Sequence, residues 1–288
     1  MKSRNVVRLA GTVVGLAFAA AGNLSATPML YGITNAGTLF TVDPTTLVTN
    51  TLGTVAGSVA LIGVATNGTS LYTFDRNTDR ILQIDPTNAN TLSTIDIGLV
   101  AGTAVIGEGD LTFSSTTQGY ISSAQFPTSA YYSFTLGSPG SNTLLHSDST
   151  TSRVFLDGLA VESGTLYGLQ QGGAGFYTVN TTTGIPTLVG STGLTGVAYS
   201  FGGLAFNSLS GTTYGALANN NLSNLFTINV STGAATLLGP IGTFTNVAGL
   251  AEFDAGGSVT TPEPGSILLL TSGLLAILSR RRFGRRPR

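Results

Sequence analysis

Phe176-Tyr177-Thr178-Val179-Asn180 returns, 49 residues further on, as Leu225-Phe226-Thr227-Ile228-Asn229. In each copy two apolar residues sit two apart, Tyr177/Val179 and Phe226/Ile228, which places them on one face of a strand. The Asn that closes the run suits a turn, because its side chain can accept hydrogen bonds from the backbone that follows. The same pattern is found three more times, in Leu39–Asp43, Ile81–Asp85 and Tyr131–Thr135, with apolar pairs Phe40/Val42, Leu82/Ile84 and Tyr132/Phe134. The second residues of the five pairs are spaced by 42, 50, 45 and 49 residues.

Three further β-prone runs surround each copy. Around the fourth copy they are Asp157-Gly-Leu-Ala-Val161, Thr165-Leu-Tyr-Gly-Leu169 and Pro186-Thr-Leu-Val-Gly190. Around the fifth they are Gly203-Leu-Ala-Phe206, Thr213-Tyr-Gly-Ala-Leu217 and Ala235-Thr-Leu-Leu-Gly239. The first run gives an independent measure of the period: Val64, Leu111, Leu159, Leu204 and Leu250 lie 47, 48, 45 and 46 residues apart. Four short strands repeated at this period describe a β-propeller blade. Gly63, Gly158, Gly203 and Gly249 precede four of these five positions, as strands crowded around an axis require.

The frame is offset. The first complete motif of the body, Leu30-Tyr-Gly-Ile33, belongs to a second strand, whereas Ala248–Phe253 at the other end is a first strand. Pairing the two completes a fifth blade and removes two open edges. The sequence therefore predicts an all-β, five-bladed propeller of four-stranded blades over residues 27–256, closed by its N- and C-terminal strands.

Composition agrees with that architecture. The chain of 288 residues holds 39 Gly, and only 9% of its residues are charged, against roughly 25% in ordinary soluble domains. It has no Cys, which excludes disulfides, thiol chemistry and cysteine metal sites. The bases are segregated: of 12, only Arg76, Arg80 and Arg153 lie in the body, which holds 12 of the 13 acids. A lysine-free acidic body is unsuited to nucleic acid, because phosphate contacts need cations.

Residues 1–26 read as a secretory signal peptide, with Lys2, Arg4 and Arg8 ahead of the apolar run Leu9–Ala21 and small residues after it. Residues 257–288 form the other address. Pro262-Glu263-Pro264 is followed by an apolar stretch over 266–279 and by Arg280, Arg281, Arg282, Arg285 and Arg286. The prolines keep the junction extended, the apolar stretch suits a membrane helix, and the arginines hold its far end in the cytoplasm.

This ending resembles the PEP-CTERM sorting signal. The resemblance implies recognition by an exosortase, a membrane cysteine transpeptidase, after Sec-dependent export. It further implies a transient inner-membrane anchor, cleavage near the motif, and delivery to the surface or exopolysaccharide matrix of a Gram-negative bacterium.

Chemistry in the body is sparse. His146, the single histidine, falls on a fourth, outer strand, and Asp75–Arg80 reads as a solvated turn. No phosphate-binding loop, dinucleotide fingerprint or zinc spacing is present. Asp110 and Asp157 open adjacent inner strands and are expected at one mouth of the channel; Glu108, Glu162, Glu252 and Asp254 lie near inner-strand ends. Two carboxyls about 5–10 Å apart suit a glycosidase, and several with backbone carbonyls suit calcium. The ordinary reading is that they keep strand ends soluble, with no cofactor and no metal. The body is thus expected to be a non-enzymatic binding or structural module associated with exopolysaccharide. A polysaccharide-acting enzyme of glycosidase or lyase type and a protein-binding scaffold are the alternatives.

Overall fold

The computed structural model describes residues 29–57, 60–98, 108–125, 128–148, 153–194, 201–219 and 222–253. The signal peptide, Asp254, the Pro262–Pro264 motif, the apolar stretch and the arginine cluster lie outside them. Among the described residues no helix is long and apolar enough to cross a membrane.

Five four-stranded antiparallel sheets follow one another along the chain. β1 (Leu30–Thr34), β2 (Thr38–Val42) and β3 (Thr49–Thr54) belong to the first, and β4 (Leu61–Thr66), β5 (Leu71–Asp75), β6 (Arg80–Ile84) and β7 (Thr91–Asp96) form the second. The third comprises β8 (Leu111–Phe113), β9 (Gln118–Gln125), β10 (Thr128–Thr135) and β11 (Thr143–Asp148). β12 (Leu156–Glu162), β13 (Thr165–Gln170), β14 (Gly175–Val179) and β15 (Pro186–Ser191) make the fourth. The fifth is β16 (Gly202–Asn207), β17 (Thr212–Asn219), β18 (Leu222–Ile228) and β19 (Ala235–Pro240). β20 (Val247–Glu252) joins the first sheet, whose order is β20-β1-β2-β3. Leu30 stands opposite Glu252 and Gly32 opposite Leu250, with a register shift after Ile33. The architecture is a five-bladed propeller.

Five apolar clusters hold the blades together, one between each pair of neighbours. Strand alternation explains how a blade serves two of them. Phe40 and Val42 pack toward the fifth blade, whereas Leu39 packs toward the second. Leu82 and Ile84 face the first blade and Ile81 the third; Phe226 and Ile228 face the fourth and Leu225 the first. Both faces of a blade are therefore buried, which is why Leu39 and Phe40 are adjacent and both inaccessible. The fourth strands pack against these clusters with one face, through Leu52, Ile95, Leu145 and Val189, and leave Leu92, Leu144, Leu188 and Leu237 exposed.

The third strands end as the sequence predicts in four blades. Oδ1 of Asp43 accepts from the amides of Thr45 and Thr46, and Oδ1 of Asp85 from that of Thr87. Asn180 and Asn229 each accept from the amides two and three residues on. In the third blade Thr135 occupies this place, and Ser141 supplies the turn hydroxyl.

At the axis the inner strands β4, β8, β12, β16 and β20 come so close that side chains are excluded. A methyl group on Gly249 would lie 2.1 Å from the Val64 amide nitrogen, and one on Gly203 2.6 Å from backbone atoms of Gly249 and Leu250. Gly63 has φ +63° as well as backbone and carboxylate atoms 2.5 Å from its missing methyl. Gly249→Ala should cost about 3 kcal/mol or more, since rigid backbone must move. Gly211→Ala, at a turn with open space and φ +64°, should cost only about 1–2 kcal/mol of left-handed strain. Denaturant midpoints of the two variants check the contrast.

Candidate functional site

One end of the axis gathers polar and aromatic residues from four blades. Arg76 follows β5, Glu108 and Asp110 precede β8, Asp157 lies in β12, Gln171 follows β13, and Phe201 precedes β16. The hairpin geometry of each blade brings the end of a second strand beside the start of a first, as the bonds from Arg76 N to Ala60 O and from Gln171 N to Phe155 O show.

Asp110 occupies the place that glycine takes in the other four inner strands, and its side chain reaches across the axis. Oδ1 accepts from the Leu111 amide at 2.8 Å; Oδ2 accepts from Leu159 at 2.8 Å and Leu204 at 3.4 Å. One carboxylate thus ties the third, fourth and fifth blades. The Asp110 amide donates to Ser122 Oγ, which donates to Leu156 O. Burial pushes the Asp110 carboxyl well above the usual range, the three amides oppose this, and the charge of Asp157 adds to it.

Asp157 is equally inaccessible but unsatisfied: neither carboxylate oxygen has a hydrogen-bond partner. Gln171 Nε2 donates to Glu108 Oε2 at 2.5 Å; the same side chain also approaches Asp157 as a donor and lowers its carboxyl pKa, without reaching hydrogen-bond geometry. Burial, then the negative charge of Glu108, hold the Asp157 carboxyl well above its ordinary value. Half-buried Glu108 is also raised by burial, with Arg76 and Gln171 pulling the other way. The Arg76 guanidinium lies 5.6 Å from the centre of the Phe201 ring.

These positions correct the expectation of two solvated acids at a channel mouth. Asp110 and Asp157 are within electrostatic reach of one another, but both are sealed from solvent, so they keep no strand end soluble. The physical reason is the narrow axis, which admits a carboxylate only by surrounding it with backbone. The mouth itself is formed by Arg76, Glu108, Gln171 and Phe201, all partly exposed.

The opposite end holds a cavity of about 200 Å³ lined by the ring Val64, Leu111, Leu159, Leu204 and Leu250 and by the two residues after each. Its acids are engaged. Glu252 accepts from the amide and hydroxyl of Ser208, and Glu162 from the Thr213 hydroxyl, each bond joining neighbouring blades. His146 lies on outer strand β11, stacked on Tyr131 at 6.3 Å. The Asp75–Arg80 turn is less solvated than its sequence suggests: Asp75 and Asp79 are buried, and Arg80 pairs with Asp96. Among the described residues, no three His, Cys, Asp or Glu side chains converge to hold a metal.

Residues 260–282 match the family profile described as the PEP-CTERM protein-sorting motif. The chain carries a PEP-CTERM sorting motif. It is accordingly an exported protein of the exosortase-sorted kind, anchored transiently in the membrane on its way to the surface. Comparison with curated proteins finds no match. Among solved structures, the crystal structure of a nidogen/laminin complex is similar, with a TM-score of 0.52 at 12% identity. The alignment covers 78% of this chain and 81% of that one, and it supports the fold alone. The PEP-CTERM match leaves the chemistry of the propeller to its own residues.

The sequence leaves Gln171 and Phe201 unmarked and places Arg76 only in a solvated turn, since nothing in a repeat marks which residues meet across blades. Asp110 carried a signal: in the aligned first runs it is the charged residue in a column of glycines.

The buried acids set a pH dependence. Asp110 and Asp157 keep their protons in the folded state above pH 3.8, the ordinary aspartate value, where the unfolded chain has released them. Their contribution to stability is therefore present at low pH and lost as pH rises through the folded-state values. In chelator, the melting temperature should rise as pH falls from 7 toward 5, and Asp157→Asn should make that slope shallower; calorimetry across the range checks both.

Proposed function

We propose that this protein is made with a cleaved signal peptide, exported through Sec, and processed by an exosortase at Pro262–Pro264 in a Gram-negative envelope. Its propeller then acts without catalysis, as a binding module for exopolysaccharide. The PEP-CTERM motif at 260–282 carries the first half of this reading. Mass spectrometry of surface protein should find a mature C-terminus close to Glu263, with the apolar stretch and arginines removed. Peptides running intact through Phe283 on surface protein would instead make the ending a permanent anchor.

The mouth face supports the second half. A sugar offers hydroxyls and apolar ring faces, and Arg76, Glu108, Gln171 and Phe201 supply hydrogen-bonding groups beside an aromatic ring. The buried acids are ill placed for hydrolysis. Asp110 is held by three backbone amides, and Asp157 lies out of solvent, whereas a glycosidase needs both carboxyls at the scissile bond. Phe201→Ala and Arg76→Ala should each weaken retention on the host's exopolysaccharide by about tenfold, ~1.4 kcal/mol, with the fold intact by circular dichroism. Release of reducing sugar, abolished by Glu108→Gln, would make the body an enzyme.

A further inference from the structure

A buried carboxylate with two bare oxygens is an unusual object in a folded protein. Asp157 has no accessible surface, and neither oxygen accepts a hydrogen bond. Protonation removes its charge but adds an O–H that also needs a partner, so it relieves only part of the penalty. The nearby charges make matters worse: Glu108 acts on Asp157, and Asp157 acts on Asp110. The Arg76 guanidinium offsets the charge of Glu108. Tyr131, the other titratable neighbour that feels Asp157, is itself raised by burial and donates its hydroxyl to Val154 O.

A sealed carboxylate with two unpartnered oxygens, lying beside the half-buried carboxylate of Glu108, is the setting a cation relieves. We propose that Asp157 and Glu108 bind one divalent cation at the axis of the propeller, of the calcium class. The donors available there are hard oxygens: two carboxylates, and the Gln171 amide oxygen once that amide turns its NH2 away from Glu108. Calcium accepts such a mixed, irregular set of six to eight oxygens, whereas magnesium demands a near-ideal octahedron. Two protein carboxylates are enough charge to hold calcium when carbonyl groups and water complete its shell. Asp110 is no ligand, since its oxygens are already spent on Leu111, Leu159 and Leu204. Its role is to fix the inner strand that follows Glu108.

The cation would neutralise the charge that opposes folding at neutral pH, and would do so at the point where the third and fourth blades meet. This inference shares Glu108 and Gln171 with the mouth proposed to bind sugar, but its test uses no sugar, so the two readings can fail separately.

The test uses the full chain purified in detergent, stripped with chelator and titrated with calcium chloride. Equilibrium dialysis should count one calcium per chain, and saturation should raise the melting temperature by several degrees at pH 7. Asp157→Asn should be at least as stable as the parent in chelator and should gain nothing from calcium. Glu108→Gln, on a partly exposed side chain that the fold tolerates, should weaken calcium at least tenfold. The proposal is overturned if calcium leaves the parent's melting temperature unchanged at millimolar concentration, or if both variants respond as the parent does. A larger shift with magnesium than with calcium overturns the choice of ion.

Discussion

The body depends on how closely five inner strands can approach one axis. Backbone meets backbone there at distances that leave no room for a methyl group, as Gly249 against Val64 shows. Everything outward follows from that contact. Blades that meet at their inner edges present both faces to neighbours, so each third strand feeds apolar residues alternately into two interfaces. Asp110, standing where the other inner strands have glycine, is accommodated because amides of three blades converge on its carboxyl group.

The rim obeys a different constraint. Each outer strand presents an unpaired edge, and a chain with so few charges has little means of protecting it by repulsion. In all five blades the pairing of third and fourth strands carries a register shift, at Leu39/Phe40, Gln83/Ile84, Tyr131/Tyr132, Phe176/Tyr177 and Leu225/Phe226. Such bulges bend and twist an edge away from further pairing.

The site sits where these two regimes meet. The axis supplies burial and therefore unusual carboxyl chemistry at Asp110 and Asp157; the turns above it supply Arg76, Glu108, Gln171 and Phe201, which remain open to solvent. Binding at such a mouth needs no motion of the blades, because hairpin ends rooted in packed strands hold the groups in place.

The sequence by itself determined the repeat, its period, the identity of the four runs and the glycine column, because each is a local pattern imposed by strand alternation and by crowding at an axis. It likewise carried the sorting signal, which is read as a linear segment by machinery that does not require the fold. Only the tertiary structure decided that Asp110 is a buried tie between three blades rather than a solvated acid, and that Asp157 is orphaned beside it. The same holds for the meeting of Arg76, Glu108, Gln171 and Phe201, which come from four different blades. Contacts between blades join residues 63 positions apart from Glu108 to Gln171 and 94 apart from Asp110 to Leu204, and no periodicity within a blade specifies which of them face each other.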